Sequence, residues 1–129
     1  SMESKKDDAQ MHGLLGQKLK EAGQVREAAA EYRVASSLDP RNLFFLKQEG
    51  FCHYRDKNYE EALRCLGEAL RRDPSDSVVR KTLEKIYSLR GEMGTFLSLL
   101  EEILRQHPEQ KPILGTVRRI RKKVEKEKE

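Results

Sequence analysis

The stretch ASSLDPRN, residues 35–42, decides the fold because its grammar returns. It comes back as ALRRDPSD at 69–76 and, more faintly, as ILRQHPEQ at 103–110. The three prolines, Pro40, Pro74 and Pro108, stand at a constant interval of 34 residues. A fixed period of this size marks a chain built from stacked copies of one supersecondary unit. Other positions fall into register with the prolines: Gly16 with Gly50, Ala28 with Ala62, and Ala35 with Ala69. Small side chains recur where two helices must cross closely, because a missing side chain lets the backbones approach.

Each period divides into two helices. The first is expected over Met11 to Ala22, with Leu15 and Leu19 at an i, i+4 spacing, and Gly23 breaks it. A partner helix follows with Val25, Ala28, Ala29, Tyr32 and Ala35, closed by Leu38 before Asp39-Pro40, since proline cannot continue the hydrogen-bond ladder. Asn42 can then cap the next helix. The second period predicts helices over Leu43 to Arg55 and Tyr59 to Arg72, joined by the turn Asp56 to Asn58. The third begins near Ser75 or Ser77, turns at Gly91 and runs on to Pro108. A last helix from Glu109 to about Lys126 places Ile113, Val117, Ile120 and Val124 on one stripe, with a cationic opposite face.

Composition agrees with helices that each bury one stripe. The 129 residues are 37% charged and only 36% hydrophobic, with no Trp and few aromatics. Alternating β-branched runs are missing, so the expected class is all-α. The net charge of +4 is local: Arg118 to Glu129 carries seven basic and three acidic residues, the whole excess. The chain is therefore a neutral body with a basic end, not a globally basic nucleic-acid binder. Cys52 and Cys65 form no CxxC pair and read as reduced thiols of an intracellular protein, cytoplasmic or nuclear. No apolar run is long enough to span a bilayer and no signal peptide is evident.

The two-helix period, with a small residue in the first helix, Ala twice in the second and a closing Pro, resembles the tetratricopeptide repeat. LLGQKLKEAGQVREAAAEYRVASSLDP (14–40) and EGFCHYRDKNYEEALRCLGEALRRDP (49–74) carry the resemblance. It implies an α-solenoid of three helix-turn-helix hairpins plus a C-terminal capping helix. The expected boundaries are a flexible segment over 1–8, whose Ser1-Met2 looks like a cloning remnant, then repeats over about 9–42, 43–76 and 77–108. A basic amphipathic helix with a frayed end follows over 109–129. The third repeat departs from the pattern, with Glu84 in the place of Gly16 and Gly50, Phe96 in that of Ala28 and Ala62, and Ile103 in that of Ala35 and Ala69. Bulk at a close crossing should spread or tilt its two helices.

The resemblance further implies a non-enzymatic scaffold that binds a partner peptide or helix on the concave face lined by the first helix of each hairpin. The usual groove-facing places fall on Gln10, Gly13, Gln17, Lys20 and Glu21, then on Phe44, Lys47, Phe51, Tyr54 and Arg55. In the third repeat they fall on Val78, Lys81, Lys85, Ser88 and Leu89. The candidate partner-binding set is Phe44, Lys47, Phe51, Tyr54, Arg55, Lys81 and Lys85, suited to a partner with apolar and acidic anchors. The family's carboxylate clamp for chaperone C-termini corresponds to Gly13, Gln17, Gln48, Val78 and Thr82, where its cations are missing. Chaperone-clamp binding is therefore not expected. Packing of Phe51 and Tyr54 between helices, and simple solvation of the lysines, are the plainer readings of these side chains.

The segment RRIRKK, with Arg118, Arg119, Arg121, Lys122 and Lys123, offers an alternative: nucleic-acid or acidic-surface binding. Ile120 and Val124 inside the run favour an amphipathic packing helix with a solvated outer face. Catalysis and cofactors have little support. His12, His53 and His107 lie far apart, and none has a Cys, His or carboxylate partner at metal-ligand spacing, so no metal is expected. GEMG at 91–94 lacks the residues of a phosphate loop and reads as a turn.

Overall fold

A computed structural model describes residues 1–128. Among the described residues seven helices follow one another: α1 (Met2–Glu21), α2 (Val25–Leu38), α3 (Leu43–Arg55), α4 (Tyr59–Arg72), α5 (Ser77–Leu89), α6 (Met93–Gln106) and α7 (Lys111–Glu127). No strand occurs among the described residues. The period appears as repeated backbone geometry. Each hairpin turn places one residue in the left-handed region, Gly23 at φ 81°, Lys57 at 60° and Gly91 at 68°. The next residue's amide then closes on a carbonyl five residues back: Gln24 on Leu19 at 2.9 Å, Asn58 on His53 and Glu92 on Tyr87 at 2.8 Å. This six-to-one closure satisfies carbonyls that the helix end leaves open.

The turns between repeats are equally periodic. Asn42, Asp76 and Gln110 donate their amides to Asp39, Asp73 and His107 at 3.0, 3.2 and 3.2 Å. The side chain of Asn42 accepts from the Phe44 amide, and that of Asp76 from the Val79 amide. Gln110 makes no such side-chain cap, although Pro112 starts α7 with a preset φ. The helix expected from Met11 instead begins at Met2, where the Ser1 hydroxyl accepts from the Ser4 amide. Met2, Glu3, Lys5, Lys6, Ala9 and Gln10 are good helix formers, and no Gly or Pro interrupts residues 2–10.

The described chain forms two compact bodies, Ser1–Ala69 and the part from Leu70 onward. In the first, Ala9, Ala28, Ala29, Tyr32, Ala35, Phe45 and Cys52 make one buried cluster, with Leu19 and Leu38 packed against it. Gly16 lies against the Tyr32 ring, where a Cβ would stand 3.1 Å from Cδ2. At Gly50 a Cβ would meet Leu66 Cδ2 at 2.7 Å and the Cys65 Cβ at 3.0 Å. The small-residue positions are therefore the places where the paired helix presses in. Leu15, expected on the apolar stripe of α1, is instead 48% exposed.

In the second body, Val79, Leu83, Ile86, Phe96, Leu100, Ile103, Ile113, Val117 and Ile120 are buried. The backbones of α5 and α6 run close together over a much shorter stretch than those of α1 and α2. Phe96 explains part of this: its ring stacks on Tyr87 at 5.3 Å between centroids and 19° between planes, filling space that an alanine leaves to the backbone. Glu84, in the glycine position, turns to α7 and accepts both Arg119 guanidinium nitrogens at 2.8 Å. Arg121 pairs with Glu101 of α6.

Candidate functional site

The first-helix faces of the hairpins carry the residues expected to bind. On α3, Phe44 is 54% exposed, yet its ring meets Tyr32 edge-on at 6.5 Å and Phe45 at 5.9 Å. Lys47, Phe51 and Tyr54 are partly buried, whereas Arg55 is exposed. Tyr54 lies 6.2 Å from the Tyr59 ring at the start of α4, which fixes its direction without covering it. On α1, Lys20 Nζ donates to Gln48 Oε1 of α3 at 2.8 Å, so the two helices share a polar rim. Gly13 is not an open groove position: it is buried, and a Cβ there would stand 2.5 Å from Phe45 Cε1.

In the second body, Lys81 and Lys85 are exposed on α5 and flank a shallow depression with Glu84, Ser88 and Leu89. Val78 and Leu89 are 61% and 65% exposed, so this face offers apolar surface beside its cations. Thr82 is buried and its hydroxyl donates to the Val78 carbonyl at 2.8 Å, which satisfies it within the helix.

The basic helix is divided in its commitments. Arg119 and Arg121 are held by Glu84 and Glu101, while Arg118, Lys122 and Lys123 are exposed. The Arg119 guanidinium, by hydrogen bonding, holds the Glu84 carboxyl below its ordinary value.

One arrangement was missed in the sequence. Glu49, 1% exposed, and His53 share a face of α3 at an i, i+4 spacing, and Cys65 of α4 lies against them. Glu49 Oε2 lies 3.1 Å from His53 Nε2 and accepts from Arg64 Nη2 at 2.9 Å. Arg64 is anchored in turn by its Nε to Glu61 at 2.8 Å. Burial, reinforced by the Glu49 carboxylate, pushes the Cys65 thiol up to about 12. The expectation that no histidine has a Cys, His or carboxylate partner at metal-ligand spacing is thus overturned at His53. His12 likewise meets Glu31 at 2.7 Å across 19 residues of sequence. Linear spacing hides the His12–Glu31 pair and the approach of Cys65, because there the partner is supplied by a different helix, whereas the i, i+4 pair Glu49–His53 stands open in the sequence.

Residues 44–76 match the family model described as tetratricopeptide repeat. No curated protein matches the chain in sequence. Among solved structures, the Arabidopsis OM64 TPR domain is 14% identical with a TM-score of 0.65, covering 92% of this chain and 98% of that one. The N-terminal domain of stress-induced protein-1 from C. elegans is 17% identical with a TM-score of 0.67, covering 91% and 97%. The first TPR of Spaghetti (RPAP3), bound to the HSP90 peptide SRMEEVD, is 17% identical with a TM-score of 0.65, covering 92% and 94%. The 34-residue turn geometry, the repeat match over the second hairpin and the shared helical fold converge: residues 44–76 match the tetratricopeptide repeat, and the chain has the fold of tetratricopeptide-repeat domains.

Proposed function

We propose that this protein is an interaction scaffold that binds a partner peptide or helix through the first-helix faces of its hairpins. The observation that carries this reading is the α3 face. There the partly buried Lys47, Phe51 and Tyr54 and the exposed Arg55 are presented on a helix locked by its neighbours. Such a surface loses little ordering entropy on binding. Its chemistry suits a partner with an apolar anchor and adjacent carboxylates, and Lys81 and Lys85 give the second body a face of the same kind. The bound peptide of the Spaghetti structure is itself acidic, which supports a peptide as the class of partner. We place recognition on the α3 and α5 cations because Gly13, Gln17, Gln48, Val78 and Thr82 offer no positive charge. Function is then binding rather than bond-making, and the two buried free thiols fit a reducing, intracellular setting. No helix among the described residues is long and apolar enough to cross a membrane.

The test is quantitative capture with acidic peptides that carry one apolar anchor, an EEVD-ended peptide among them. Wild type is compared with Lys47→Ala/Phe51→Ala, with Lys81→Gln/Lys85→Gln, and with Gln substitutions at Arg118, Lys122 and Lys123. Loss in the first variant with helicity intact supports the α3 face. Unchanged capture in both face variants contradicts the proposal. Loss of binding only in the basic-helix variant, with steep salt sensitivity, would transfer function to an acidic or phosphate surface.

A further inference from the structure

We propose that Glu49, His53 and Cys65 form a binding site for a divalent transition metal of the zinc class, separate from the peptide-binding faces. Their donor atoms, a carboxylate oxygen, an imidazole nitrogen and a sulfur, all lie within 4.8 Å of one another. Three such donors converging from two helices require a cause, and Gly50 supplies it. With no side chain at Gly50, α4 seats Leu66 and Cys65 directly on α3, one residue beyond Glu49 and three before His53. The helical i, i+4 spacing then turns Glu49 and His53 toward the same sulfur.

The donor set selects the metal. A thiolate and an imidazole favour borderline-soft ions such as Zn²⁺ over Ca²⁺ or Mg²⁺, which prefer all-oxygen sets. Three protein ligands leave a fourth position for water or an incoming ligand, the open form of a zinc site. Glu49 has two oxygens, so one can ligate while the other keeps Arg64, which Glu61 holds in place as an outer partner. Glu49 and Cys65 are buried, but the His53 side chain is 15% exposed and that of Arg64 50%, giving an entry path along that edge. On binding, the Cys65 thiol releases its proton to solvent and the sulfur donates a lone pair to the metal. To ligate through Nε2, His53 gives up the Nε2 proton that faces Glu49 Oε2 and keeps a single proton on Nδ1. No electron is transferred, so the site needs no oxidant or reductant.

The experiment titrates the whole chain, stripped of metal and kept reduced, with Co²⁺. The expected result is a near-ultraviolet thiolate-to-cobalt charge-transfer band with visible ligand-field bands, saturating at one ion per chain and erased by equimolar Zn²⁺. Cys65→Ser should abolish the charge-transfer band, while Cys52→Ser keeps it. His53→Gln, a change at the more accessible ligand, should weaken Co²⁺ binding by more than about tenfold. Circular dichroism establishes that each variant is folded, and His53→Gln decides the matter if Cys65→Ser does not fold. A folded wild type without the band, or a band unchanged in folded Cys65→Ser or His53→Gln, overturns the site.

Discussion

Lys57 occupies, in the second hairpin turn, the left-handed position that Gly23 and Gly91 fill in the first and third. A side chain there crowds the following carbonyl, which costs roughly 1–2 kcal/mol against a glycine. Lys57→Gly is therefore expected to raise stability by about 0.5–1 kcal/mol after the extra freedom of the unfolded glycine is charged against it. Chemical denaturation checks this, and a lower midpoint contradicts it. The residue scale is also where sequence reading succeeded and failed most sharply. Gly16, Gly50 and the closing prolines were legible because a backbone constraint repeats with the period. Glu49, His53 and Cys65 were not, since no linear spacing reveals that α4 delivers a sulfur to a pair on α3.

At the scale of the helix, the third hairpin shows how a repeat tolerates the loss of its small residues. Phe96 stacks on Tyr87 instead of letting the helix backbones meet, and Glu84 reaches outward to Arg119 of α7. The helix boundaries of α3 and α4 were readable from caps, turn residues and periodicity; the early start of α1 was not, because residues 2–10 lack an apolar stripe. The bulk in the third hairpin was evident from sequence, whereas its ion pair with α7 was not, because it spans 35 residues. Glu84 is held below its ordinary value chiefly by its hydrogen bonds to Arg119, so its folded value lies under its unfolded one. The stabilisation is then present above the unfolded carboxylate value of about 4.3 and lost as pH falls through the lowered folded value. Arg119→Gln should cost about 0.5 kcal/mol near neutrality, as expected for a solvent-accessible pair. The difference from wild type should vanish in acid, and a difference independent of pH contradicts the assignment.

For the whole molecule, the period makes the scaffold legible and leaves the ligand open, because many partners can be served by one repeat fold. The 34-residue register predicted three hairpins and a final helix, and the helices fall in that order. The binding residues were nominated from their places in the register. The structure adds that Phe51 and Tyr54 are only partly covered, that Arg55, Lys81 and Lys85 are exposed, and that Gly13 is not available to a ligand. Recognition by the first-helix faces can be read residue by residue from amide NMR of the labelled chain titrated with a captured acidic peptide. Shift changes are expected at Lys47, Phe51, Tyr54 and Arg55, or at Lys81 and Lys85, with α2, α4 and α6 little affected. Changes confined to α2, α4, α6 or the basic face of α7 would contradict it.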